Sequence, residues 1–134
     1  MSFKNIAAAF VAVSFLAGCG PESQGNQAIS DSSRVDQIVV GTTTREDVRA
    51  TLGEPETRWR EFGDEHWSYR FQRESMNAAM FIPVAQMVAG RVNVDFVNVT
   101  VSFDRAGVVN NLVRVCHRSS GGIMTGDRFE QVAC

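Results

Sequence analysis

One alternating run of apolar and polar residues constrains the fold more than any other feature. Every second residue of the run is apolar: Val97, Val99, Val101 and Phe103. Because successive side chains of a strand point to opposite faces, this run predicts a strand with one buried face. The segment 104–107 that follows predicts a hairpin turn, in which Gly107 takes a positive φ. Residues 108–115 are then the returning strand.

A second alternating run lies earlier in the chain, after the turn signal Gly63-Asp64. The run predicts a strand with an apolar face, formed by Trp67, Tyr69 and Phe71. The opposite, polar face is formed by His66, Ser68 and Arg70. Alternation on one face only is typical of an antiparallel sheet that is covered on one side. We therefore expect a covering layer of helices.

Two short helices before these strands can supply that layer. Ser32 or Ser33 can cap a helical turn that carries apolar residues on one side. A capping box, either Thr43 with Glu46 or Thr44 with Asp47, begins a second helix.

Gly53 and Pro55 end the second helix. It is too short to be stable alone, so it must pack on the sheet. The predicted fold class is α+β, with two short N-terminal helices on an antiparallel sheet of three or four strands.

The N-terminal segment has the pattern of a bacterial export signal. Lys4 provides the positive start, and residues 6–18 are apolar or small apart from Ser14. The segment ends in Leu16-Ala17-Gly18-Cys19, which resembles the lipobox of bacterial lipoproteins. That resemblance implies a signal peptide over 1–18 and a lipid on Cys19 that anchors the chain in a membrane. The alternative is an ordinary cleaved signal followed by a chance cysteine.

The residues after Cys19 predict how the domain is attached and where it is sorted. The stretch to about residue 33 is rich in Gly, Ser, Gln, Asn and Asp, so 19–33 is expected to be the lipidated cysteine and a flexible tether. Gly20 occupies the place where aspartate would favour retention at the inner membrane. We therefore expect the anchored protein to lie on the periplasmic face of the outer membrane.

The two remaining cysteines fall in the C-terminal segment. Cys116 and Cys134 are an even pair in an oxidising compartment, where disulfides persist. They either close residues 116–134 into a loop or stay as free thiols. We treat 116–134 as a C-terminal tail.

The motifs described above occur in a recognisable order, in which Val48 lies between the threonine run and Leu52. The series runs Ile38, Gly41-Thr42-Thr43-Thr44, Leu52-Gly53-Glu54-Pro55, Trp67-Ser68-Tyr69, Val101-Ser102-Phe103-Asp104 and Gly107-Val108-Val109. This order behind a lipobox resembles the SmpA/OmlA (BamE-like) lipoprotein family, with the domain at 34–115. The resemblance implies two helices on a three-stranded sheet, and a periplasmic lipoprotein of the outer membrane. It also implies an accessory role in the machinery that inserts β-barrel proteins.

An uncharged segment separates the Trp67 strand from the Val97 strand and departs from the compact family pattern. Ser75 to Gly90 contains no Asp, Glu, Lys or Arg. Its candidate contact residues are large and apolar: Met76, Met80, Phe81, Ile82 and Met87. The segment either covers the sheet or forms an exposed patch for a partner protein or the membrane.

Residues suited to catalysis are few. His66 and His117 are the only histidines, and Cys116 next to His117 cannot readily share a ligand with it, because neighbours in a strand point to opposite faces. With a net charge of −2 and no basic tract, nucleic acid is not an expected partner. We expect no enzyme activity, no cofactor, no metal and no small-molecule substrate.

The expected function is therefore that of a non-catalytic accessory or scaffold in outer-membrane protein assembly or envelope integrity. The alternative keeps the fold but changes the partner. Such a lipoprotein would serve a secretion or conjugation complex, contact peptidoglycan, or inhibit a periplasmic enzyme.

Overall fold

A single antiparallel sheet of six strands organises the protein, for which the computed structural model describes residues 22–134. The strands are β1 (Ser23–Gly25), β2 (Thr57–Glu61), β3 (Asp64–Met76), β4 (Val92–Phe103), β5 (Val109–Gly121) and β6 (Arg128–Val132). Strands β3, β4 and β5 are long and adjacent, and β6 extends the sheet at one edge. At the other edge β1 and β2 pair with different parts of β3.

Helices are short. They are α1 (Ser32–Val35), α2 (Arg45–Leu52) and α3 (Ala85–Ala89), with 3₁₀ turns at Gln27–Ser30 and Ala78–Phe81. The α+β class and the open antiparallel sheet were expected. The number of strands was underestimated, because the three edge strands are short and are joined to the sheet through backbone hydrogen bonds that leave little sequence pattern.

The second helix begins and ends through local chemistry. Thr44 caps α2: its hydroxyl accepts the Asp47 N–H at 3.3 Å, and the Asp47 carboxylate accepts the Thr44 N–H at 3.0 Å. Gly53 follows the helix with φ 82° and ψ −162°, a conformation that is essentially restricted to glycine. This combination places the helix over the sheet and turns the chain towards β2.

The core lies between one face of the sheet and the N-terminal segments. The helical side contributes Ile29, Val35, Ile38, Val48 and Leu52, and the sheet contributes Trp67, Tyr69, Phe71, Val99, Val101, Phe103 and Val109. The Trp67 and Phe103 rings meet edge to face, with centroids 4.7 Å apart. The predicted burial of the Trp67, Tyr69 and Phe71 face is therefore correct.

The prediction of a flexible tether over 19–33 is wrong for residues 23–33. Strand β1 pairs with β3, and Ile29 is completely buried. The Asn26 side chain donates to the Leu52 carbonyl at 2.6 Å, which fastens this segment to the end of α2. Asp31, rather than Ser32 or Ser33, caps α1. Polar composition was misleading because one buried side chain and a series of backbone bonds suffice to order the segment.

The expected C-terminal tail over 116–134 is also part of the sheet. Strand β5 continues to Gly121, and β6 pairs with it from Ser120 opposite Arg128 to Cys116 opposite Val132. Cys116 and Cys134 form a disulfide with their Cα atoms 5.4 Å apart. The folded unit therefore extends beyond the expected domain 34–115 at both ends.

The predicted signal peptide 1–18 and the lipidation site Cys19 lie outside the described residues. Among residues 22–134, none of the helices has the length and apolar character needed to cross a membrane.

Candidate interaction surfaces

The uncharged segment between β3 and β4 folds as a closed insertion. Asn77 fixes its base: the Asn77 amide donates to the Ala89 carbonyl at 2.8 Å, and its side-chain oxygen accepts the Arg91 N–H at 2.9 Å. Between these points, Pro83 separates the 3₁₀ turn from α3. The insertion therefore projects from the end of the β3–β4 hairpin.

Most apolar side chains of this insertion are exposed. Phe81 is 70% exposed, Ile82 55% and Met87 52%. Met76 is also exposed, whereas Met80 is half-buried and its sulfur lies against Gly90. This arrangement corresponds to an exposed patch rather than to a cover for the sheet.

A second loop joins the insertion at the same end of the sheet. The connection between β5 and β6 exposes Ile123 and Met124, and Gly122 packs closely on the Gly90 carbonyl. A shallow cavity of about 280 Å³, lined in part by Met80, lies between the two segments. We call the combined surface the apolar tip: Met76, Phe81, Ile82, Val84, Met87, Val88, Ile123 and Met124.

Sequence reasoning did not find the contribution of Ile123 and Met124. The available signal was an uncharged Ile-Met pair between glycines, immediately after a strand. The pair can be assigned to the apolar tip only from the fold, which places that loop against the insertion.

The face of the sheet opposite the core is uncovered by helices in the described part of the chain. Trp59 stacks on His66 with ring centroids 5.1 Å apart, and His66 Nδ1 lies 2.7 Å from the Ser102 hydroxyl. At the other end of this open face, His117 stacks on Phe129. The two histidines are several residues apart along the strands, so the register does not bring them together.

A charged cluster occupies the end of the sheet opposite the apolar tip. The Glu65 carboxylate accepts the Trp67 indole N–H at 2.8 Å and pairs with Arg45 and Arg60 at 3.5 and 3.6 Å. The Trp67 hydrogen bond lowers the pKa of Glu65; burial opposes this shift, and both arginines assist it. Phe62 projects beside the cluster and is 96% exposed. The contacts of Glu65 indicate a structural role in joining α2 to β2 and β3.

Within residues 22–134, no group of three or more His, Cys, Asp or Glu side chains is placed so that it could hold a metal ion. The predicted lipidation site Cys19 lies outside this range. The arrangement that the described residues present is one of exposed surfaces suited to contact.

The described residues form a small α+β domain with helices on one sheet face, an open opposite face and an exposed apolar tip. Comparison with protein families identifies it further: residues 28–112, well over half of the chain, match the outer membrane protein assembly factor BamE domain. The chain belongs to the BamE family, and the resemblance to the SmpA/OmlA family is confirmed. Proteins of this family are associated with the outer membrane.

Searches of curated proteins and of solved structures returned no match. The matched range includes the insertion but not β1 or β6. These two edge strands and the disulfide therefore lie outside the part that the family match covers.

Proposed function

We propose that this protein is a lipoprotein anchored through Cys19 in the periplasmic face of the outer membrane. Its role there is that of a non-catalytic accessory factor in outer-membrane protein assembly. The observation that carries the proposal is the BamE domain over residues 28–112. The export signal and the lipobox-like Leu16-Ala17-Gly18-Cys19 support the location.

Such a protein acts by contact rather than by chemistry. The contact residues nominated from the sequence, Met76, Met80, Phe81, Ile82 and Met87, are retained as a proposed contact surface. Four of them belong to the apolar tip, while Met80 is half-buried with its sulfur against Gly90. A lipid anchor would keep the domain at high local concentration near its partners, so that weak contacts suffice.

Photocrosslinking in living cells tests this function. A photoreactive amino acid replaces Arg70, which is exposed on the open face, or Phe81 on the apolar tip. The same two variants kept without irradiation provide the control. We expect barrel-assembly subunits to be captured from at least one exposed position and not from the control.

The same experiment separates the alternative functions. Capture of secretion or conjugation subunits, of peptidoglycan fragments or of one periplasmic enzyme would replace the assembly role with that of the captured partner. Absence of assembly subunits from both exposed positions would contradict the proposal.

A further inference from the structure

The described part of the chain begins at the base of the apolar tip. The Glu22 carbonyl accepts the Glu74 N–H at 2.9 Å, and β1 continues antiparallel to β3 with Ser23 opposite Arg73. Strand β3 then ends at Met76, the first residue of the apolar tip. Glu22, the first described residue, therefore lies at this end of the sheet.

The distance between this point and the proposed anchor is short. Cys19 precedes Glu22 by three residues in the sequence. An extended chain advances at most ~3.6 Å per residue, so the Cys19 Cα lies within about 11 Å of that of Glu22. If Cys19 carries the lipid, as proposed above, the tip end of the sheet is held at the membrane.

The composition of the apolar tip suits that position. Ser75 to Gly90 contributes no charged side chain, and Phe81, Val84 and Val88 are each at least 70% exposed. Charged residues flank the tip instead, including Arg91 and Arg128 as well as acidic side chains. An apolar projection with charged flanks suits a membrane surface, where the projection would meet the acyl chains and the flanks would meet the headgroups.

We propose that the apolar tip inserts into the lipid monolayer in which the chain is anchored. The tip thus contacts the boundary between headgroups and acyl chains. This proposal rests on the lipid anchor at Cys19. The tip and the lipid together fix the orientation of the domain. The charged cluster around Glu65 and the open face of the sheet then remain accessible to periplasmic proteins.

Tryptophan quenching by brominated lipids tests the proposal in the full-length lipidated protein. Phe81→Trp places a reporter on the tip, and Phe62→Trp is the matched control at an even more exposed aromatic position at the opposite end. Both are reconstituted in vesicles of phosphatidylethanolamine and phosphatidylglycerol with brominated acyl chains. We expect loss of emission from the added tryptophan at position 81 and none at position 62.

A second measurement separates the tip from the anchor. Protein produced without residues 1–19 has neither the apolar signal segment nor the thioether lipid, so its affinity for the same vesicles comes from the folded domain. Adding Phe81→Ser should weaken this binding about tenfold, because the contribution of a large apolar side chain is lost. Adding Phe62→Ser should leave it unchanged, and the melting temperatures of both variants should match.

The two proposals can fail independently. Protein purified from membranes that does not float with vesicles and has an unmodified Cys19 would overturn the anchor. Vesicle-bound Phe81→Trp protein with unquenched emission would overturn tip insertion while leaving the anchor in place. Crosslinks from position 81 exclusively to a protein would likewise overturn it and identify the tip as a protein-docking surface.

Discussion

Replacing Ile29 with alanine tests whether the N-terminal segment belongs to the folded domain. Ile29 is completely buried although it lies in a polar stretch that composition predicts to be a flexible tether. Its 3₁₀ turn packs among α1, α2, β3 and β4. If the segment were a tether, truncating this side chain would have almost no effect on stability.

The expected cost follows from the burial of the side chain. Ile29→Ala removes three carbon atoms, worth roughly 0.8 kcal/mol each in lost transfer free energy. A cavity in a core that relaxes only partly adds to this, so we expect a loss of about 3 kcal/mol. Since small domains are stable by roughly 5–15 kcal/mol, such a loss is a large fraction of the total.

Urea denaturation measures the effect, with fluorescence of the buried Trp67 as the reporter of the core. Val39→Ala is the matched control, because it also shortens an aliphatic side chain but at a position that is 53% exposed. The free energy of unfolding should fall for Ile29→Ala and change little for Val39→Ala. Equal midpoints for both variants and the parent would refute the assignment of Ile29 to the core.

Three further predictions concern a carboxylate, a glycine and the disulfide. Because the fold lowers the pKa of Glu65, its contribution to stability is present above pH 4.5, its ordinary pKa, and is lost as the pH falls through the lowered value; Glu65→Gln should flatten this part of a plot of unfolding free energy against pH. Gly53→Ala should cost about 1–3 kcal/mol in urea denaturation through backbone strain. Replacing Cys116 and Cys134 with alanine should cost about 3 kcal/mol by the same assay, since the bridge closes a separation of 18 residues.

Each of these predictions has a contradicting result. An unchanged pH profile in Glu65→Gln would show that this carboxylate is not a principal source of acid sensitivity. A neutral Gly53→Ala would mean that the position does not require the observed positive φ. Equal stability with and without reductant would show that the Cys116–Cys134 bridge does not constrain the chain.

The elements that sequence analysis predicted correctly are those whose pattern is local. Val99, Val101 and Phe103 alternate with polar residues, so the buried face of β4 could be assigned directly. Thr44 and Asp47 are three residues apart, and their capping box was one of two candidates for the start of α2. In each case neighbouring residues alone contain the necessary information.

The elements that were missed depend on long-range pairing. Strand β1 has three polar or glycine residues and is defined by its backbone bonds to β3, more than forty positions away. Strand β6 likewise has one half-buried residue, Val132, and depends on β5 and the disulfide. The apolar tip was nominated only in part, because Ile123 and Met124 join it through tertiary contact.

The most direct test of the account is the mass of the mature protein purified from the outer-membrane fraction. We predict a chain that begins at Cys19 and carries a diacylglycerol and an additional acyl group on that residue. Cys19→Ala should abolish this modification and remove the protein from the fraction. A mature protein that retains residues 1–18, or that has an unmodified Cys19 and still fractionates with the outer membrane, would contradict the account.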